Sequence, residues 1–91
     1  MTTDPVRLEL DEERLVQALQ EAGEKLDLGH GEVLLDFSSV HRIDPSALRA
    51  MEQIADKGDG KGTRVVLRGV NVEIYKVLKL MKLAPRFAFR T

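Results

Sequence analysis

Apolar and charged residues alternate from Val6 to Leu10, with Val6, Leu8 and Leu10 on one side of an extended chain and Arg7 and Glu9 on the other. That is the period-two pattern of a half-buried strand. The spacing then changes. Leu15, Leu19, Ala22 and Leu26 recur at three- and four-residue intervals, which predicts an amphipathic helix. Asp11 is placed to cap that helix, acids crowd its first turn, and "DLGHG" supplies two glycines to stop it. The run "EVLLDF" is apolar without alternation, as in a central strand buried on both faces.

After "HRIDPSALRAM" the pattern is helical again, "KGDGKG" reads as a turn, and "TRVVLR" as a third strand. "NVEIYKVLKLMKL" has the period of a third helix, with Asn71 placed to cap it and Pro85 to stop it. "RFAFR" can add a last short strand, Phe87 and Phe89 on one side and Ala88 and Arg90 on the other. The order βαβαβαβ argues for a single α/β domain over residues 1–91, with a mostly parallel four-stranded sheet. Right-handed crossovers that progress in one direction place all the helices on one face and leave the other without cover.

Within that frame the second helix has a distinctive start. Asp44 stands at the N-cap, its carboxylate able to accept from the amides of Ser46 or Ala47. Pro45 at the first helical position sacrifices only an amide that has no partner there, and its φ is already set. Ala47, Leu48, Met51, Ile54 and Ala55 form the inward stripe, while Arg49, Glu52, Gln53 and Asp56 face out.

Composition narrows the classes of function. Ninety-one residues with 43% hydrophobic and 4% aromatic side chains suit one modest core of Leu, Val, Ile and Ala. No stretch approaches the length of a bilayer span, so no membrane insertion is expected. The N-terminal "MTTDPVRLELDEE" lacks an apolar signal core, and a cytoplasmic protein is expected. The absence of cysteine excludes disulfides and thiolate metal sites. Residues 1–45 carry 11 acidic and 4 basic side chains, residues 46–91 carry 4 and 10. That asymmetry suits a polar binding surface unless folding interleaves the halves.

The stretch "VLLDFSSVHRIDPSALRAM" resembles the signature of the STAS domain, the fold of bacterial anti-sigma-factor antagonists. In that family an apolar strand ending in Leu-Asp leads to an Asp-Ser-Ser-Gly-Leu helix start. The resemblance continues through "KGTRVVLRGVNVEIYKVLKLMKLAPRF" and covers residues 6 to 90. It implies a non-catalytic regulatory module, without cofactor, that docks a kinase-type anti-sigma factor or a signalling scaffold through the start of its second helix. In this chain the corresponding partner-binding residues are Asp44, Pro45, Ser46, Ala47, Leu48 and Met51. The family's phosphate acceptor directly follows the motif Asp; a phosphate there adds about −1.5 to −2 charge and releases the partner. Pro45 has no hydroxyl, and Ala47 replaces the family's glycine. Ser46 remains as a possible phosphorylation site, turned by about 100° on the helix from the acceptor position. STAS subunits that bind the ATPase of a lipid-transporting ABC complex are resembled equally well.

Other candidate chemistry is sparse. His41, Asp44 and Ser46 lie too close in sequence to converge as a nucleophilic triad, and no oxyanion-hole motif accompanies them. His30 lies in "GHG", a solvated turn by type, and two histidines give no metal-ligand spacing. "GDGKG" lacks the phosphate-loop spacing and reads as a flexible turn. On the third helix Ile74, Val77, Leu78 and Met81 make a core stripe that Val72, Leu80 and Leu83 widen, which predicts partial exposure of Leu80 and Val77. Lys76, Lys79 and Lys82, with Arg86 beyond, form a solvated face or a basic patch for an acidic partner or a phosphorylated headgroup. Nucleic acid is not expected: the first half is acidic, the pI is near 6.1, and aromatics are few. The "RFAF" edge could pair with a second copy to give a homodimer.

Overall fold

The structure is a computed structural model that describes residues 6–27 and 31–90. It contains four strands, β1 (Val6–Asp11), β2 (Glu32–Ser39), β3 (Arg64–Arg68) and β4 (Ala88–Arg90). Three α-helices alternate with them, α1 (Leu15–Asp27), α2 (Pro45–Lys61) and α3 (Val72–Leu80), and a short 3-10 turn (Ala84–Arg86) precedes β4. The sheet order is β1-β2-β3-β4, and every neighbouring pair is parallel. Adjacent right-handed crossovers of this kind place the three helices on one face.

The core lies between that face and the helices. Val33, Leu35, Phe37 and Leu67 are 0% exposed and meet Leu15, Leu19, Ala22 and Leu26 of α1 and Ala47, Met51 and Ile54 of α2. The stripes expected on α1 and α2 are the buried ones, except that Leu48 is only half-buried. Phe87 is in the core, and Phe89 meets Tyr75 edge-on with ring centroids 5.2 Å apart.

The opposite face carries no helix, yet Leu34 and Val66 there are 8% and 0% exposed. Arginine side chains close it. Arg7, beside Leu34 in register, reaches Asp36 at 3.3 Å. Arg90 on β4 reaches Glu32 on β2 at 3.5 Å, a diagonal that passes over Val66 on β3. The apolar stems of these long side chains cover the sheet while their charged heads stay in water.

Three expected boundaries move. The α1 helix begins at Leu15, after the acids, and Asp11 accepts from the Arg14 amide at 2.9 Å in the turn ahead of it. "KGDGKG" is not a turn: α2 runs to Lys61 and ends on Gly62, whose φ of 68° supplies the left-handed cap. Gly58 lies inside the helix at a buried position close to the strand that follows, where the missing side chain gives room and marks no turn. A Cβ there would stand 3.1 Å from the Thr63 carbonyl oxygen and 3.3 Å from Val65 Cγ2. Asp56 and Asp59, one turn apart, both hold Arg86 at 2.7 Å.

Pro85 does not stop α3. The helix ends at Leu80 in a Schellman motif, with Lys82 at φ 60°, the Leu83 amide donating to the Leu78 carbonyl and the Lys82 amide to that of Lys79. Met81, expected in the core stripe, is therefore exposed. Residues 28–30, including His30 and part of the expected α1 stop, lie outside the described residues.

Candidate functional site

In a parallel sheet the loops at the carboxyl ends of the strands gather on one edge, where such folds bind ligands. Here those loops are residues 12–14, 40–44 and 69–71. Asp44 has an extended backbone (φ −95°, ψ 170°), and its Oδ1 accepts from the Ala47 amide at 2.8 Å. Pro45 opens α2 as its first residue. The two features expected of this turn, a carboxylate cap and a proline start, are both present.

The turn is fixed from both sides by loops distant in sequence. Glu12 Oε1 accepts from the amides of His41 at 2.7 Å and Arg42 at 2.9 Å. These donors hold the Glu12 carboxyl below its ordinary range, and the His41 and Arg42 charges add to them. On the other side Asn71 performs two tasks. Its Oδ1 accepts from the Ile74 amide at 2.8 Å, capping α3, and its Nδ2 donates to the His41 carbonyl at 3.1 Å. Gly69 brings the β3–α3 loop close to β2: at φ 71°, a Cβ there would run into Ser38.

The surface presented is small and specific. Asp44, Pro45 and Ser46 are exposed and Leu48 half-buried. Ala47 and Met51 are 0% exposed; they anchor the helix start to the core. Beside the turn, His41, Arg42 and Ile43 face Glu73, Ile74 and Val77 of α3 across a depression of about 170 Å³. Its floor is apolar and its rim charged, suited to one apolar side chain of a partner.

His41, Asp44 and Ser46 do not assemble as a triad. The His41 Nδ1 lies 3.7 Å from Glu12, and the Asp44 carboxylate is spent on the cap. Among the described residues no group of three His, Cys, Asp or Glu side chains is placed to hold a metal, and no helix is long and apolar enough to cross a membrane. The bracing by Glu12 and Asn71 was missed in the sequence. The position of Asn71 predicts its cap, but none of the three bonds to the 41–42 backbone leaves a local signal.

The STAS domain model matches residues 6–91 of the chain. The chain belongs to the STAS domain family. Its fold is also that of three proteins of known structure. TM1081 of Thermotoga maritima, assigned as an anti-sigma factor antagonist, superposes with a TM-score of 0.73 at 23% identity, over 97% of this chain and 76% of its own. A chain of the stressosome, a signal integration and transduction hub, gives 0.72 at 19%, over 98% and 84%. The anti-sigma factor antagonist SpoIIAA in its unphosphorylated form gives 0.70 at 20%, over 100% and 84%. No curated protein sequence matches.

Proposed function

We propose that this protein is a non-catalytic regulatory module that docks a protein partner through the start of α2, in the manner of anti-sigma-factor antagonists. The observation that carries this reading is the exposed Asp44-Pro45-Ser46 tip, held in one geometry by its own cap and by Glu12 and Asn71. A tip so braced loses little conformational freedom on binding, the condition for affinity from a small surface. The contact set is Asp44, Pro45, Ser46 and the edge of Leu48, with the depression beside Ile43 receiving an apolar anchor. The partner is a kinase-type anti-sigma factor or a signalling scaffold, in the cytoplasm.

Control by phosphate at the position after Asp44 has no acceptor, because Pro45 stands there. Ser46 is exposed, and a phosphate on it would crowd the Asp44 carboxylate and obstruct docking. The same missing acceptor favours a second reading, a permanently docked accessory subunit on the ATPase of a lipid-transporting ABC complex. Affinity capture from separated cytosolic and membrane fractions distinguishes the two. A kinase-like partner in the cytosol supports the first and an ATPase in the membrane fraction the second. Capture that is unchanged by Ser46→Arg, which places a bulky cation on the tip, contradicts both.

A further inference from the structure

The C-terminal turn of α3 carries a surface that the docking tip does not use. Leu80 is 82% exposed, and Met81 beside it 48%. Leu80 sits in a depression whose other lining residues are Lys76, Lys79 and Lys82. Burial of Ile74 and Leu78 fixes the rotation of the helix, so steps of about 100° turn Lys76, Lys79 and Leu80 away from the core. Among the described residues none of the three lysines has an ion-pair partner. Glu73, the one acid of α3, is the i,i+3 neighbour of Lys76 on the helix surface and lines the depression beside His41; Lys79 and Lys82 lie farther from it along the chain.

The sheet order sharpens this local charge. The strands lie side by side in chain order, with α1 packed on β1 and β2 and Tyr75 of α3 against Phe89 of β4, so the acids of α1 and the lysines of α3 stand toward opposite edges of the sheet. Strand spacing puts β1 and β4 roughly 14 Å apart, beyond the Debye length of about 8 Å at physiological ionic strength. A negative surface that approaches α3 meets its lysines largely unopposed by the acids of α1.

Three occupants can be compared. A second copy using the same face would set lysine against lysine. A second copy offering α1 would present Gln17, Glu21 and Glu24, all exposed, with only the half-buried Val16 and Ala18 as apolar surface to receive Leu80. An anionic bilayer offers both: phosphate oxygens for the ammonium groups and, just beneath, an apolar layer at the depth a leucine reaches. We propose that the end of α3 is a peripheral contact for anionic phospholipid surfaces. Lys76, Lys79 and Lys82 engage headgroup phosphates, and Leu80 and Met81 enter the boundary with the acyl chains. The α3 helix runs antiparallel to the strands, so this contact lies at the opposite end of the helix layer from Asp44. A protein partner and a membrane can be engaged together.

Sedimentation with vesicles tests it, using phosphatidylcholine alone and phosphatidylcholine mixed equally with phosphatidylglycerol. The protein is expected to sediment with the anionic vesicles at low salt and not with the neutral ones. Each of K76Q and K79Q should weaken the association about five-fold, and L80Q by a comparable factor. Leu80 is exposed, so L80Q should keep the wild-type unfolding midpoint, which separates loss of contact from loss of fold. Equal sedimentation with neutral vesicles overturns the proposal, as does undiminished binding by L80Q. Absence of binding to anionic vesicles at low salt overturns it too, in favour of an acidic protein surface as the occupant.

Discussion

Asp44→Ala tests the helix start in isolation from any partner. The substitution removes the acceptor 2.8 Å from the Ala47 amide. N-cap losses cost about 0.5–2 kcal/mol. Ala47 itself is 0% exposed, so water does not freely replace the lost acceptor, and the upper half of that range applies. For a domain of 91 residues, 1 kcal/mol corresponds to roughly 4–8 °C in the unfolding midpoint. Asp44→Ala should therefore lower the midpoint by roughly 5–15 °C at pH 7 in calorimetry or circular dichroism.

Asp44→Asn removes the charge but keeps a capping oxygen, and should lie within a few degrees of wild type. Such a loss leaves a domain of ordinary stability, on the order of 5–14 kcal/mol, overwhelmingly folded. Any fall in partner affinity of ten-fold or more then reports the contact and not unfolding. A midpoint unchanged by Asp44→Ala, or lowered equally by Asp44→Asn, would refute the capping argument.

Further predictions concern the surroundings of the tip. Pro45→Ser should create a phosphorylatable hydroxyl when a family kinase is supplied; mass spectrometry that finds no phosphate would place the acceptor geometry elsewhere. Gly69→Ala should lower the midpoint markedly, since it combines a positive φ with contact on Ser38; a wild-type midpoint would contradict the packing of these two loops. Lys82→Gly should raise the midpoint by a few degrees by relieving a left-handed residue, and a lower one would contradict the Schellman geometry. Glu12 is held below its ordinary value of 4.5. Its contribution is present above that value and is lost as pH falls through the lower folded value. Glu12→Gln should therefore flatten the loss of stability below about pH 4.5, and an unchanged acid limb would show that Glu12 does not hold the 41–42 backbone.

Much of the fold was legible because its signals are local. The alternation of Arg7 to Leu10, the stripe Leu15-Leu19-Ala22-Leu26 and the caps Asp44 and Asn71 act within one turn or strand, and each has its expected place. Features that depend on distant residues were not. Gly58, Gly60 and Gly62 read as a turn, but Gly58 is a helical position where a Cβ would crowd Thr63 and Val65, and the helix stops at Gly62. Likewise Lys82, whose side chain favours continued helix, is left-handed because Leu83 must reach the core as Leu78 does. The face without helices is not bare, since Leu34 and Val66 are buried there and the cross-strand pairs Arg7–Asp36 and Arg90–Glu32 lie over it, pairings between distant residues that no local pattern carries. At the candidate site the helix start was readable, but its bracing joins residues about thirty apart, which no periodicity reveals.

The central claim, that the exposed tip of α2 receives a protein partner, is tested most directly by photo-crosslinking in cells. A photoreactive residue is placed at Ser46, and in a second protein at Gln20, an exposed position on α1. The account predicts one dominant crosslinked partner from position 46 and none in common from position 20. The same partners from both positions, or no crosslink from position 46, would contradict it.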